Sequence, residues 1–261
     1  MATRTALVTG GAQGIGEGVA RRLVAEGVGQ IALVDRNEAG LAAAAKALAA
    51  LGADVLPVVA ELSSVAACMS AVAQTIARFG KIDILANCAG NTERGGVLDT
   101  DEALFERSIA VNLRAPFFLI QEAAKDMKRR KSGVIINIAS MLAYGGPPHI
   151  AIYSITKAAV VALTKNAANS LKRDGIRVYA INLGWAVTPQ EHQLQTKLHG
   201  LPEDWAERIG AKQPFGRLII PDDVGGLCAF LVSRDAAMMT GNIIDLEQFV
   251  MGTMDEHPAM L

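Results

Sequence analysis

The chain has 261 residues, 51% of them hydrophobic, and its 25 Lys and Arg against 26 Asp and Glu leave a formal net charge of -1. That length suits one large α/β domain, which can run to roughly 250 residues undivided. The near-zero charge gives no electrostatic support to a nucleic-acid or anionic-membrane partner, and no apolar run reaches the roughly 18 residues of a membrane span.

The first run, Arg4 to Thr9, reads as a strand and leads into Gly10-Gly11-Ala12-Gln13-Gly14-Ile15-Gly16. A helix follows to about Glu26, then a strand Gln30 to Val34 that ends in Asp35. Glycines let a backbone turn sharply and approach a pyrophosphate, while the helix N-terminus offers N–H donors and a positive dipole end. Asp35, about twenty residues beyond the turn, is placed to accept hydrogen bonds from an adenosine ribose and to repel a 2′-phosphate. This favours NAD over NADP, although the adjacent Arg36 has the charge to pair with such a phosphate.

An Ala-rich helix spans Asn37 to Leu51. Val55 to Val59 is a third strand, followed by Glu61-Leu62-Ser63, with Ser63 as N-cap of a helix to about Phe79. Ile82 to Ala86 is a fourth strand, ending at Asn87-Cys88-Ala89-Gly90. A long helix from about Asp101 to Arg129 is expected to bend near Pro116. It carries Asn112 inside and the basic cluster Lys125, Lys128 to Lys131 at its C-terminal end, where cations favour the macrodipole.

The β-branched run Val134 to Ile138 is a buried fifth strand. Ser140 sits near its carboxyl end, and a helix to about Lys172 carries Tyr153 and Lys157 on its first turns. Their i, i+4 spacing puts both on one face. An ammonium beside a phenol favours the phenolate and pulls its pKa down from about 10, so Tyr153 is a candidate general base or acid. Ile176 to Asn182 is a sixth strand, leading to Leu183-Gly184-Trp185-Ala186-Val187-Thr188-Pro189. The segment from 188 to about 214 is polar and partly helical; a helix over Asp222 to Val232 and a strand over Gly241 to Leu246 close the pattern.

Strands alternating with helices give an α/β fold: a Rossmann-type, doubly wound parallel sheet of about seven strands with helices on both faces, in one domain covering residues 1–261. Ligands of such sheets lie at the carboxyl ends of the strands. The glycine turn, Asp35, Asn87 to Gly90, Ser140 and Thr188 all follow strand ends, so separate signals converge on one edge. Cys68, Cys88 and Cys228 are far apart, show no metal-ligand spacing and fit a reducing compartment. His192 and His199, seven apart, lack a third ligand, so no metal is expected. With no signal-peptide pattern ahead of the first strand, the expectation is a cytoplasmic protein.

Thr9-Gly10-Gly11-Ala12-Gln13-Gly14-Ile15-Gly16 resembles the Thr-Gly-x-x-x-Gly-x-Gly turn of the short-chain dehydrogenase/reductase family. Asn87-Cys88-Ala89-Gly90 resembles that family's Asn-Asn-Ala-Gly strand end, and Asn112, Ser140, Tyr153 and Lys157 fall at its catalytic tetrad. The likeness covers nearly the whole chain. It implies that Tyr153 exchanges the alcohol proton, that Lys157 lowers the tyrosine pKa and holds the nicotinamide ribose, that Ser140 orients the substrate oxygen, and that Asn112 places a relay water. It also implies a cofactor site from Gly10, Gln13, Gly14, Ile15 and Gly16, through Asp35, Arg36, Glu61, Leu62, Asn87, Ala89 and Gly90, to Val187 and Thr188. Three departures stand out: Cys88 replaces an asparagine, Glu61 an aspartate, and Leu183-Gly184 a Pro-Gly pair, which would loosen or re-aim the loop beyond.

Substrate-lining candidates are Ser140, Leu142, His149, Tyr153, Trp185 and His192, with Asn91 to Arg94 and Gln190 to Glu191 nearby. Their polarity tilts the expectation toward NAD-dependent oxidation of a small polyol or sugar. An NADPH-dependent ketone or 3-oxoacyl reductase, or a non-catalytic nucleotide sensor, are the competing readings. The resemblance implies a homo-oligomer, commonly a tetramer, and the methionine-rich tail Met251 to Leu261 is a candidate to reach a neighbouring subunit.

Overall fold

The apolar, β-branched runs become strands that all point one way. The computed structural model describes residues 3–253. Its strands are β1 (Thr5–Thr9), β2 (Gln30–Asp35), β3 (Asp54–Val59), β4 (Ile84–Asn87), β5 (Gly133–Ile138), β6 (Ile176–Leu183) and β7 (Ile243–Leu246). They form one seven-stranded parallel sheet in the order β3-β2-β1-β4-β5-β6-β7. The order reverses between β1 and β4, and a crevice opens there beyond the carboxyl ends.

The helices are α1 (Gly14–Ala25), α2 (Glu38–Ala50), α3 (Val65–Phe79), α4 (Glu102–Ile109), α5 (Ala115–Arg130), α6 (Ala151–Leu171), α7 (Pro189–Gln193), α8 (Trp205–Gly210) and α9 (Pro221–Val232). Apolar stripes of α1, α2 and α9, including Leu23, Leu41 and Leu231, pack on one sheet face. Those of α3, α5 and α6, including Val72, Leu119 and Ala168, pack on the other. Strands buried on both sides explain why β5 is apolar along most of its length.

Several boundaries differ from expectation. Ser64, not Ser63, caps α3: its hydroxyl accepts from the Ala67 N–H at 3.3 Å. β4 begins at Ile84: the Ile82 N–H donates to Asp126 and not to a strand, while Asp83 makes backbone bonds to Thr5 and Val134 just ahead of it. The long helix is two, α4 and α5, joined by a π turn over Ala110–Arg114. Pro116, at the start of α5, has no N–H for the Asn112 carbonyl, and the extra residue is absorbed in the turn before it. The basic cluster does close α5, with Lys131 as a left-handed cap. The tail from Met254 onward lies outside the described residues. No described helix is long and apolar enough to cross a membrane.

Candidate active site

The glycine turn is dictated by space. Gly10 and Gly14 have φ of 66° and 60°, in the region that favours glycine. A methyl on Gly10 would lie 3.0 Å from the Ala89 backbone, and one on Gly16 would run into the Gly10 carbonyl. The Thr9 hydroxyl accepts from the Cys88 and Ala89 N–H groups at 3.0 and 3.1 Å, tying β1 to the end of β4. Gln13, ahead of α1, makes no side-chain cap, so the first-turn N–H groups remain available as donors. This cradle fits a pyrophosphate.

Asp35 ends β2, accepting from the Asn37 N–H at 3.0 Å and the Ala12 N–H at 3.3 Å. Arg36 lies on the surface with its guanidinium 3.5 Å from Glu61, whose other oxygen accepts from the Ser63 N–H. The glycine turn, Asp35, Arg36, Glu61 and Leu62 share one cleft of about 1090 Å³ with Ala89, Gly90, Ser140, Tyr153 and Lys157. That is ample for a dinucleotide and a small second ligand.

At the inner end, Ser140 follows β5 and its hydroxyl accepts from the Leu142 N–H at 3.1 Å. Lys157 is 4% exposed; its Nζ donates to the Ile138 carbonyl at 2.7 Å and lies 5.5 Å from the Tyr153 ring centre. The expected depression of the tyrosine pKa does not occur in this state. Burial pushes the phenol above its ordinary value, against the Ser140 hydroxyl and the Arg94 charge, which pull it down; Glu191 adds to the rise. Burial also pushes the Lys157 ammonium down to about 8. Desolvation, which disfavours either charged form, is the largest cause of both shifts.

Asn112 sits in the π turn, and its amide is committed: Oδ1 accepts from the Asn91 N–H at 2.7 Å, and Nδ2 donates to the Asn91 carbonyl and the Thr156 hydroxyl. The side chain clamps the loop after β4 to α6. Both Nδ2 hydrogens are thereby used, while Oδ1 keeps one acceptor site.

Leu142, His149 and Trp185 line the cleft as expected, and so do Gln13, Ile15 and Thr188. Besides Asn112, three predicted residues do not. Asn87 is buried in the sheet and donates to Asn137, which in turn donates to Thr164. Val187 gives its N–H to the Ile219 carbonyl at 2.8 Å and stays out of the lining. His192 turns away: the Trp205 indole N–H donates to its Nδ1 at 3.2 Å and its Nε2 lies 2.8 Å from Glu203. An indole is only a donor, so Nδ1 is unprotonated and Nε2–H donates to Glu203.

The loop after β6 is not loosened by Leu183-Gly184. Residues Trp185 to Val187 run alongside Ile219, with backbone bonds in both directions. Arg107, Gln195 and Glu247 also reach the cleft. They come from helices and a strand end far from any motif, so only tertiary packing reveals them. Burial pushes the Cys88 thiol up to about 12, which keeps it a protonated small side chain. No metal-binding cluster of His, Cys, Asp or Glu exists among the described residues.

A family model described as enoyl-(acyl carrier protein) reductase matches residues 10–248. A probable galactose dehydrogenase of Rhizobium meliloti (strain 1021) is 34% identical over 245 residues, covering 94% of this chain and 93% of that one. Among solved structures, an actinorhodin polyketide ketoreductase with NADPH superposes with a TM-score of 0.88 at 32% identity, covering 94% of this chain and 96% of that one. An NAD+-bound xylitol dehydrogenase gives 0.85 at 31%, covering 94% and 98%. The chain belongs to the short-chain dehydrogenase/reductase family of oxidoreductases.

Proposed function

We propose that this short-chain dehydrogenase/reductase transfers a hydride between a secondary alcohol, polyol- or sugar-like, and NAD, with Tyr153 as the general acid/base. The single observation that carries the reading is one cleft holding Ser140, Tyr153 and Lys157 at its inner end and the Asp35 carboxylate beside the glycine turn at its outer end. When bound, the nicotinamide supplies a hydride acceptor in oxidation or a donor in reduction. The chain's own residues handle the oxygen and the proton.

The Ser140 hydroxyl donates to the substrate oxygen and fixes it against the Tyr153 phenol. Tyr153 accepts the hydroxyl proton as the carbinol is oxidised, and returns it in reduction. Lys157, held by the Ile138 carbonyl, keeps a positive charge beside the phenolate that forms and reaches the nicotinamide ribose. Asn112 acts by clamping Asn91, which fixes the wall of the cleft. Thr188, packed 3.3 Å from where a Gly14 methyl would lie, closes over the cofactor turn.

Asp35 argues for NAD, because its carboxylate accepts from a ribose diol and repels a 2′-phosphate. The relative named for galactose and the neighbour named for xylitol, whose structure holds NAD+, support a sugar or polyol. The second reading, ketone or 3-oxoacyl reduction with NADPH, draws on Arg36 and on the ketoreductase neighbour solved with NADPH. A homo-oligomer in the cytoplasm goes with the proposal, since exposed Phe105 on α4, Phe117 on α5 and Ile155 on α6 would be covered by assembly.

Titration with NAD and then NADP, followed by quenching of Trp185 in the cleft, tests the reading. NAD is expected to bind at least about tenfold tighter, and Asp35→Ser to narrow or reverse the difference. Tighter NADP binding by the wild type would move the function to ketone reduction, and cofactor binding without turnover of any alcohol or ketone would leave a nucleotide sensor.

A further inference from the structure

Arg94 is a cleft cation without a counter-ion and, unlike Lys157, which donates to the Ile138 carbonyl, it has a buried donor left unpaired. Its Nε is buried and meets no acceptor among the described residues, and no carboxylate there lies within 4.0 Å of its guanidinium. The neighbouring acids are otherwise engaged. Glu93 pairs with Arg107 at 2.8 Å and accepts from Asn91. Glu191 accepts from the Trp185 indole at 2.9 Å and from Gln195 at 2.8 Å. An unsatisfied buried donor on a guanidinium is costly, and the natural partner for its planar fork is a carboxylate or a phosphate.

The side chain springs from a fixed backbone. Asn91 is held in both directions by Asn112, and the Gly95 carbonyl accepts from the Ile152 N–H at 3.3 Å. Ile152 is the neighbour of Tyr153. Glycines are required just beyond: a methyl on Gly95 would lie 2.6 Å from the Thr100 hydroxyl, and one on Gly96 would lie 2.7 Å from the Pro148 carbonyl. The segment is therefore pressed against the start of α6, and its charge is felt at the phenol, which Arg94 stabilises in the ionised form.

Resting on the proposed alcohol oxidation, we infer that Arg94 reads an anionic group of the substrate: the alcohol that reacts at Tyr153 carries a carboxylate or a phosphate on the same carbon chain. A hydroxy acid, a sugar acid or a phosphorylated polyol has this chemistry; a neutral polyol or a simple alcohol does not.

The test uses the full chain with NAD and three matched pairs of secondary alcohols: xylitol and xylonate, 2-butanol and 3-hydroxybutyrate, glycerol and glycerol 3-phosphate. The quantity read is the ratio of kcat/KM for the charged member to that for its neutral partner, in wild type, Arg94→Met and Arg94→Lys. Any common effect on Tyr153 cancels in that ratio. The wild type is expected to favour a charged member by about 10- to 100-fold, Arg94→Met to lose that preference, and Arg94→Lys to keep part of it. The pair that shows the effect tells carboxylate from phosphate.

A ratio that is the same in wild type and Arg94→Met for every pair turned over would overturn the inference while leaving the alcohol dehydrogenase reading intact. Absence of turnover with all six compounds counts against that reading. The inference is then decided by calorimetric titration of the NADH-loaded protein with malonate and with inorganic phosphate. Binding by wild type that is lost in Arg94→Met upholds an anion subsite, and no binding by wild type overturns it.

Discussion

Lys157 carries its charge where the surroundings disfavour it. Burial lowers its pKa from 10.5 to about 8, so between those values the folded protein binds fewer protons than the unfolded chain and stability rises with pH. Below about 8 both forms are protonated and the full burial penalty applies. Lys157→Met removes that penalty but also the bond to the Ile138 carbonyl. The net expected at pH 7 is a gain of about 1–2 kcal/mol, read as a melting temperature several degrees higher. The gain should shrink between pH 8 and 10.5, and turnover should be lost at every pH. A less stable Lys157→Met at pH 7 would show that the lysine is a net structural asset. The pairing of Tyr153 and Lys157 was legible because helical spacing alone puts i and i+4 on one face. The sign of the tyrosine shift was not, since desolvation depends on what covers the ring. Asn87 and His192 misled for a related reason: a polar residue at a strand end or in a polar segment can point to a neighbour as easily as to a ligand.

The cofactor turn depends on how α1 meets α9. A methyl on Gly18 would lie 2.5 Å from the Pro221 Cβ, and one on Gly225 would lie 2.7 Å from the Arg22 Cβ and 2.9 Å from the Gly18 carbonyl. The two helices therefore touch through their glycines, and α1 cannot shift without moving the N–H groups at its start. Gly225→Ala should cost about 1–3 kcal/mol in thermal unfolding and weaken NAD binding by titration. Gly226→Ala is the control. Its methyl would meet nothing within 4 Å, so it should be neutral or stabilise the helix by up to about 1 kcal/mol. Equal effects of the two substitutions would refute the packing argument. Elements were legible where apolar period and punctuation agreed, as in β1, β2, β5 and α6. The split of α4 from α5 was placed too late, because the sequence marks Pro116 while the structure absorbs the strain in the preceding π turn.

Across the molecule, strands β1 and β4 are locked to α5 by one ionic cluster. Asp126 is 3% exposed and takes the Ile82 N–H at 3.1 Å and two bonds from Arg130 at 2.8 and 3.0 Å; Arg130 also reaches Asp83, which holds the Thr5 N–H. Burial alone would raise the Asp126 carboxyl, but Arg130, the Ile82 N–H and Arg129 outweigh it and hold it below the usual 3.8. Its stabilisation is thus present above that value and lost as pH falls through the folded-state value. Asp126→Asn should lose about 3–5 kcal/mol at pH 7 and show a flatter decline of stability in acid; an unchanged acid limb would remove Asp126 from this role. The parallel sheet with helices on both faces was readable from the alternation of strands and helices, whereas its strand order came from the structure. The residues that reach the cleft from afar, such as Glu247 after β7 and Arg107 on α4, were not, because only the assembled sheet brings them there. What the assembly delivers is a phenol held between a serine, a lysine and the cofactor cleft, and that arrangement has a direct test. Tyr153→Phe should bind NAD within about threefold of wild type while its NAD reduction with the best alcohol substrate falls by about 10²–10⁴-fold. Turnover surviving within about tenfold, with NAD binding intact, would contradict the assignment of Tyr153 as the group that exchanges the proton.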